Sequence, residues 1–199
     1  MKTVKIYADG SCIGNPGPGG WAAVIAGADA GRQIEAKGCD WHTTNSRMEI
    51  RAALGGLTAA AAQEAPEKMD VTIYSDSQYV VKQIGTRKIE DFTMTGKYKN
   101  ADLWAELFRL IPLFHSVRAE WIRGHSGHRL NEYVDRIARA EARQCVTEED
   151  VRRFTFRQLL IDPRAQAAKV YHLSGCRYSM KTIKKYIDLY REKYGTRHS

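Results

Sequence analysis

The sequence predicts a mixed β-sheet with helices packed against it, the α/β class, followed by a small all-α C-terminal extension. Two observations predict the sheet: three strand-like segments lie close together near the N-terminus, and helical and strand-like segments then alternate. A third observation sets the extension apart. Residues 147–199 hold 12 Lys and Arg against 6 Asp and Glu, a surplus of six in a chain of net charge +8. We therefore expect two units, residues 1–145 and residues 146–199.

The first three segments have the short spacing of an antiparallel meander. Hydrophobic alternation predicts a strand over residues 3–10 that ends near Asp9, a second strand over residues 20–27 and a weaker third over residues 32–42. These three strands open the predicted sheet.

An alanine-rich helix is predicted over residues 46–65. Its Gly55-Gly56 pair costs about 1 kcal/mol per glycine relative to alanine, so we expect close packing to require it. The later segments complete the order β-β-β-α-β-α-α-β-α. They are a buried strand within residues 70–78 that ends at Asp76, helices over 77–84 and 100–111, a strand over 117–125 and an amphipathic helix over 130–144.

Three short helices are predicted in the extension, which indicates a helix-turn-helix-like bundle. Thr147 is the expected N-cap of the first helix. The second is expected to start at Asp162, with Pro163 at its first position, and to stop before Gly175. The third lies between Ser179 as cap and Gly195 as terminator, and its expected apolar face consists of Ile183, Ile187, Tyr190 and Tyr194.

Two interpretations of the extension stay open. In one, it is a basic packing module that only stabilises the first unit. In the other, it contacts nucleic acid, because phosphates attract clustered cations. The candidate contacts are Lys181, Lys184, Lys185 and Arg191.

Composition excludes several classes of protein. The chain has no apolar run of membrane-spanning length and no apolar N-terminal signal segment. Its four cysteines are scattered, without a C-x-x-C pair, so we interpret them as reduced thiols of a cytoplasmic protein and not as metal ligands; they are Cys12, Cys39, Cys145 and Cys176.

The segment GNPGPGG, residues 14–20, admits three interpretations: a phosphate-binding loop, a plain wide hairpin loop, or a loop that lets the backbone approach a polymer while Asp9 faces a site. A P-loop needs a Lys after its last glycine, and no Lys lies between Asp9 and Gly31. A strand follows the segment, so there is no helix N-terminus to hold an anion. A cradle for a free nucleotide is therefore excluded.

Four acidic residues are placed where a folded sheet can gather them. Asp9 and Asp76 end predicted strands, Glu49 lies in an otherwise apolar helix, and Asp135 lies in the last helix of the first unit. Gathered carboxylates repel one another, and divalent cations relieve that repulsion. Hard oxygen ligands favour Mg²⁺.

Several segments together resemble type 1 ribonuclease H over roughly residues 1–145. They are Asp9-Gly10-Ser11, the 14–20 segment, Thr43 to Glu49, Ser75 to Val80, Gly124 to His128, and Asn131-Glu132 leading to Asp135. The resemblance implies a ribonuclease H-like fold, in which the first three strands of a five-stranded mixed sheet are antiparallel and helices flank the sheet.

The resemblance also implies a function, that of an endonuclease which hydrolyses the RNA strand of RNA–DNA hybrids. Two Mg²⁺ ions per site take part, Mn²⁺ can substitute for them, and the products carry 5′-phosphate and 3′-hydroxyl ends. We expect a monomer that binds the hybrid and no membrane.

The resemblance assigns roles to individual residues. The catalytic residues implied are the metal-binding carboxylates Asp9, Glu49, Asp76 and Asp135, together with His125, which aids proton transfer or product release. Asn15, Asn45 and Gln78 are implied as contacts to the minor groove of the hybrid, and the glycines near Asn15 as points where the backbone approaches it.

The sequence departs from better-known bacterial members before Trp104. The segment that holds their basic, Trp-rich protrusion is shorter here and has no Trp before Trp104, although Lys97 and Lys99 give it some charge. We expect weak intrinsic binding by the first unit, with these two lysines as candidate nucleic-acid contacts.

Two other functions remain as alternatives. A catalytically inactive nucleic-acid-binding module can have the same fold, but it has no need of four clustered carboxylates. A relative that cuts or joins DNA is the third possibility, and the implied hybrid-contact residues argue against it.

Overall fold

Five strands form one mixed sheet in the computed structural model, which describes residues 1–27, 33–63, 65–86, 98–145, 148–174, 178 and 180–195. The sheet order is β3-β2-β1-β4-β5, with β1, β2 and β3 antiparallel and with β4 and β5 parallel to β1. This confirms the expected fold class. The strands are β1 Lys2–Cys12, β2 Gly17–Gly27, β3 Gln33–Thr43, β4 Met69–Ser75 and β5 Ser116–Trp121.

Helices follow in the predicted order. Four belong to the sheet region: α1 Asn45–Ala61, α2 Gln78–Thr86, α3 Ala101–Leu110 and α4 Arg129–Gln144. Three more lie in the extension, as expected: α5 Glu148–Ile161, α6 Ala167–Leu173 and α7 Met180–Tyr194.

The sheet buries a different core on each face. Side chains of α1 and α3 cover one face, where Ile6, Ile73 and Trp104 are fully buried. On the other face α4 contributes Val134 and Ala138 to a smaller cluster. Burial of these apolar side chains is the main force that holds both layers to the sheet.

The first strand is longer than its hydrophobic alternation predicts. It continues past Asp9 to Cys12, because each of its residues from Val4 to Cys12 has a partner in β2. Asp9 itself pairs with Ala22. The expectation that Asp9 ends a strand is therefore wrong.

The glycine-rich segment is mostly strand as well. Only residues 13–16 connect β1 to β2, so the expected wide loop is wrong. A Cβ on Gly19 would lie 2.4 Å from Thr43 Cγ2, and one on Gly20 would lie 2.3 Å from the carbonyl oxygen of Ala138. Protein fills the space over these two glycines, so they permit close packing of the chain on itself and not approach to a nucleic acid.

The glycine pair in α1 has the role that was expected of it. A Cβ on Gly55 would lie 2.3 Å from the Trp21 ring, and one on Gly56 would lie 2.5 Å from Ile6 Cγ2. Both glycines let α1 approach the sheet more closely than side chains would permit, which confirms the packing explanation.

In the extension, the second helix starts later than predicted. Asp162 does not cap it: its Oδ1 accepts a hydrogen bond from the Arg164 amide, and its carbonyl accepts one from Ala165. This local turn competes with helix formation. Helix α6 therefore begins at Ala167.

The third helix of the extension has the expected end. Gly195 has φ +69°, and its amide donates to the Arg191 carbonyl, as at a glycine-terminated helix. The apolar face differs by one residue: Tyr186 is buried, whereas Tyr194 is 52% exposed. The core of the extension is a separate cluster drawn from α5, α6, α7 and the α5–α6 connection; its buried members are Val151, Leu159, Ala165, Val170, Ile183, Tyr186, Ile187 and Tyr190.

Some expectations fall outside the described residues. They concern Thr147, Gly175, Ser179, Lys97 and Cys176. Among the helices that the structure describes, none combines the length and the apolar character that crossing a membrane requires.

Candidate active site

Asp9 is the most enclosed of the predicted site residues. It is 7% exposed, and its Oδ1 accepts a hydrogen bond from the Gly10 amide. Because its strand partner Ala22 lies in the cluster under α4, Asp9 faces that helix. Burial, followed by the charges of Asp76, Asp135 and Glu49, raises the pKa of Asp9 to about 8, although the Gly10 hydrogen bond opposes the rise.

Glu49 lies on α1, one turn after the start of the helix, where Thr44 accepts a hydrogen bond from the Arg47 amide. Asn45 Nδ2 donates to its Oε1 at 2.8 Å, and Ser77 Oγ donates to its Oε2 at 2.7 Å. Burial raises the pKa of Glu49, and the Ser77 hydrogen bond counteracts the rise. Both carboxylate oxygens of Glu49 are thus held in place.

The helix carrying Glu49 approaches β1 at a glycine. A Cβ on Gly10 would lie 2.3 Å from the Glu49 amide nitrogen. The Asp9-Gly10 step therefore does two things, since it supplies a carboxylate on one face of the sheet and lets α1 close in on the other face.

Asp76 directly follows β4, and the end of the neighbouring strand β5 lies beside it. Trp121 Nε1 donates to the Asp76 carbonyl at 2.9 Å. A Cβ on Gly124 would lie 2.7 Å from Asp76 Oδ2, so the residue at this position must be small for the loop after β5 to lie against the carboxylate.

Asp135 projects from α4 on the side of the sheet that Asp9 faces. Its Oδ1 forms an ion pair with Arg139 Nε at 2.8 Å, one helical turn later. Its charge contributes to the raised pKa of Asp9, which places it within electrostatic range of that buried carboxyl group.

The fold thus brings the three other predicted carboxylates around Asp9. They do not stand at ligand distance: among the residues described, no three His, Cys, Asp or Glu side chains are grouped closely enough to hold a metal ion. The donor set nevertheless fits a hard divalent cation, since it consists of carboxylate oxygens whose mutual repulsion a cation would relieve.

His125 lies on an exposed loop between β5 and α4. Its φ is +51°, and Gly127 in the same loop has φ +82°. The Gly127 amide donates to Glu132 Oε1, which ties the loop to the first turn of α4. Gly124 lies against the Asp76 carboxylate, and His125 is the next residue in this loop.

The residues implied as hybrid contacts surround the start of α1 and α2. Asn15 Oδ1 accepts a hydrogen bond from the Asn45 amide at 3.3 Å, so the β1–β2 turn touches the N-terminus of α1. Gln78 is exposed at the first position of α2. Lys99 is exposed, and its carbonyl accepts from Tyr79 Oη.

The basic residues named in the extension fall into two groups. Lys181 and Lys184 are exposed on α7. Lys185 instead pairs with Glu148 at 2.9 Å, and Arg191 donates to the Ala165 carbonyl at 3.2 Å. The last two already hold the extension's own helices together.

Two contacts that shape this site were not predicted from the sequence, although Gly124 was expected to give the His125 loop mobility. Ser77 is buried and orients Glu49, and Gly124 makes room beside Asp76. Both residues lie in segments on which the resemblance rests. The motifs therefore included them but did not show which side chains they contact.

Comparison with known proteins gives a consistent result. The RNase H family model matches residues 1–143. Ribonuclease H of Oleidesulfovibrio alaskensis is 46% identical over 151 residues, which cover 71% of this chain and 92% of that protein.

Two solved structures share the fold. LC9-RNase H1, a type 1 RNase H with the type 2 active-site motif, is 30% identical with a TM-score of 0.62, covering 72% of this chain and 74% of that one. The N-terminal RNase H domain of rv2228c from Mycobacterium tuberculosis is 28% identical with a TM-score of 0.60, covering 73% and 96%.

Proposed function

This chain belongs to the ribonuclease H family and is a ribonuclease, and from that premise we propose that it hydrolyses the RNA strand of RNA–DNA hybrids. The observation that carries the proposal is the burial of Asp9, which is 7% exposed and lies close enough to three other carboxylates that burial and their charges together raise its pKa. Such an arrangement is costly for folding alone, and perturbed carboxyl groups of this kind concentrate at functional sites.

Asp9, Glu49, Asp76 and Asp135 are the residues proposed to hold Mg²⁺. When bound, two such ions supply water activation and stabilise the leaving 3′-oxygen of an in-line displacement, which leaves 5′-phosphate and 3′-hydroxyl ends. Mn²⁺, which accepts the same oxygen ligands, can substitute.

The protein's own contribution is to hold its carboxylates in fixed orientations. The Gly10 amide fixes one oxygen of Asp9, and Asn45 and Ser77 fix both oxygens of Glu49. Preorganised ligands of this kind need no rearrangement as the reaction proceeds. His125, on its exposed loop, is proposed to move a proton or to help release the product.

Recognition of the substrate is proposed to involve the surface around α1 and α2. Asn15, Asn45 and Gln78 are polar groups at that surface, and we propose that they contact the minor groove. The 2′-hydroxyl is the group that distinguishes RNA from DNA at a given site. Contacts to sugar and phosphate carry no base information, so sequence preference should be slight.

The extension, residues 146–199, is proposed to be a separate unit that adds nucleic-acid contacts. Its core contains no residue of the sheet region, which supports the division. Lys181 and Lys184 are exposed cations on its α7, and Lys99 adds charge on the sheet region. We further propose that the enzyme acts as a monomer.

A cleavage assay tests this function. Labelled RNA–DNA, RNA–RNA and DNA–DNA duplexes are incubated with the full chain and Mg²⁺, and again with a chelator in excess. We expect cleavage of the RNA strand in the hybrid alone, lost with the chelator. Tight binding of the hybrid without cleavage would instead identify an inactive binding module of the same fold.

A further inference from the structure

Two cysteine thiols lie away from the candidate active site. Cys39 is exposed on β3, and Cys145 is half-buried at the C-terminal cap of α4. Both are free in this structure. Although 105 residues lie between them in the sequence, the fold places them side by side.

The sheet and the helix lie in direct contact where these cysteines meet. Cys39 is the register partner of Gly20 on β2. A Cβ on Gly20 would lie 2.4 Å from the Ala142 amide nitrogen and 2.7 Å from Glu141 Cβ, so the last turns of α4 cross the sheet at this point. Register partners share a face of the sheet, and Cys39 therefore points to the side that α4 covers.

A row of contacts between alternate β3 residues and α4 leads to the same place. Tyr133 Oη donates to Glu35 Oε2 at 3.0 Å. Two residues further along β3, Lys37 Nζ pairs with Glu141 Oε1 at 3.2 Å. The next residue on that face is Cys39, and one helical turn beyond Glu141 is Cys145. The two cysteines therefore lie side by side at the end of this row, where Cys39 contributes to the raised pKa of Cys145.

We propose that Cys39 and Cys145 form a reversible intramolecular disulfide by exchange with a low-molecular-weight disulfide. The exposed Cys39 thiolate attacks one sulfur of the disulfide RSSR, which forms a Cys39 mixed disulfide and releases the first RS⁻. The Cys145 thiolate then attacks the Cys39 sulfur and releases the second RS⁻. The two protein thiols are oxidised, RSSR is reduced, and the two leaving thiolates take up the two protons that the cysteines lose.

The order of the two attacks follows from the surroundings. Burial, followed by the Cys39 hydrogen bond and charge, raises the pKa of Cys145 to about 12, so Cys145 is a poor first nucleophile. Capping Cys39 as a mixed disulfide removes the thiol that contributes to the raised pKa of Cys145. That change eases ionisation of Cys145 for the second attack.

The cross-link would fix the end of α4 to the edge strand β3. Helix α4 also carries Asp135, and α5 starts at Glu148, three residues after Cys145. The bond would therefore anchor the point from which the extension leaves the sheet region and close a loop of more than 100 residues.

The test uses the full-length protein and oxidised glutathione. After incubation, remaining thiols are alkylated and the unreduced protein is digested and mapped by mass spectrometry. We expect a peptide pair joined through Cys39 and Cys145, and a thermal unfolding midpoint raised by about 5–10 °C that a reductant reverses. Cys39→Ser and Cys145→Ser should each lose the rise, whereas Cys12→Ser should keep it.

Two outcomes overturn the proposal. One is a stable glutathione adduct on Cys39 with Cys145 still free. The other is a cross-link that joins Cys145 to Cys176 or joins two chains. Mapping of the wild-type protein decides between these outcomes and the expected one even if a serine variant does not fold.

Discussion

The sheet region and the extension place their charges in opposite ways. In the sheet region Asp9 is buried among other carboxylates, an arrangement that disfavours its ionised form. In the extension Glu148 is exposed, Glu149 is partly exposed, and both are paired with nearby cations. The contrast teaches that the sheet region accepts an unfavourable burial of charge at one position, whereas the extension pairs its acidic side chains with cations near the surface.

The cores of the two regions are separate as well. The sheet region buries aliphatic side chains together with aromatic ones such as Trp104, and the extension packs its own aliphatic side chains with ring contacts such as Phe156 with Tyr190. Each region has its own core, so we expect damage to one to leave the other largely intact. If the two regions are independent, changes in the sheet region should affect catalysis and changes in the extension should affect binding.

The largest effect is expected at the buried carboxylates. Asp9→Asn or Asp76→Asn should lower kcat on the hybrid by about 1,000-fold or more, roughly 4 kcal/mol, because an amide is a poorer ligand for Mg²⁺. Steady-state cleavage kinetics measure the loss, with circular dichroism to confirm folding. Asp188→Asn, on the exposed surface of α7, is the matched control; Mg²⁺-dependent turnover near the wild-type rate in either site variant would remove that residue from the site.

A core substitution in the extension should destabilise that unit alone. Leu159 is fully buried, and Leu159→Ala should lower the free energy of unfolding of the extension by about 2–5 kcal/mol. Hydrogen exchange measured by mass spectrometry should show faster exchange in α5, α6 and α7 but unchanged protection in the sheet. Leu160→Ala, next to it and 73% exposed, serves as the control. Equal loss of protection in the sheet would mean that the two regions fold as one unit.

Removing residues 146–199 should weaken binding more than chemistry. If three phosphate contacts are lost, affinity for the hybrid should fall by about 10- to 100-fold at moderate salt, and the plot of log affinity against log salt should flatten by about 0.9 per contact. The apparent KM should rise while cleavage at saturating substrate persists. A stable truncated protein with unchanged affinity and slope contradicts the binding role, and an unfolded one favours the packing role.

A smaller effect is expected at His125, which is proposed to move a proton or to help release the product. His125→Ala should lower kcat by about 10-fold, less than the 100-fold or more that an essential general acid or base contributes. Single-turnover and steady-state rates on the same hybrid show whether chemistry or product release has slowed. His115→Ala, another exposed histidine, is the control. A loss as severe as that of Asp9→Asn would show that the role of His125 is not auxiliary.

The smallest effect is expected from individual cations of the extension. Lys181→Ala combined with Lys184→Ala should weaken hybrid binding by only about 3- to 10-fold and flatten the salt slope by about 1.8. Fluorescence anisotropy over a range of salt concentrations measures both. Lys5→Ala with Lys68→Ala removes the same charge from exposed positions of the sheet region. If this control pair changes the slope as much, then net charge and not the α7 surface governs binding.

Much of the molecule could be predicted from local sequence. The order of strands and helices in the sheet region, the fold class and the Gly195 stop all follow from periodicity and short-range backbone preferences, which act within a few residues. The four carboxylates and His125 could be named as candidates because they stand in motifs.

The remaining features depend on residues far apart in the chain. Pairing with β2 carries β1 past Asp9, contact with α4 explains Gly20, and Ser77 reaches Glu49 across 28 positions. The same holds for the neighbouring thiols of Cys39 and Cys145. Sequence by itself therefore determined which elements form and which residues are candidates for the chemistry. Only the tertiary structure decided how those residues are buried and oriented, because burial and hydrogen bonding arise between segments that no local pattern connects.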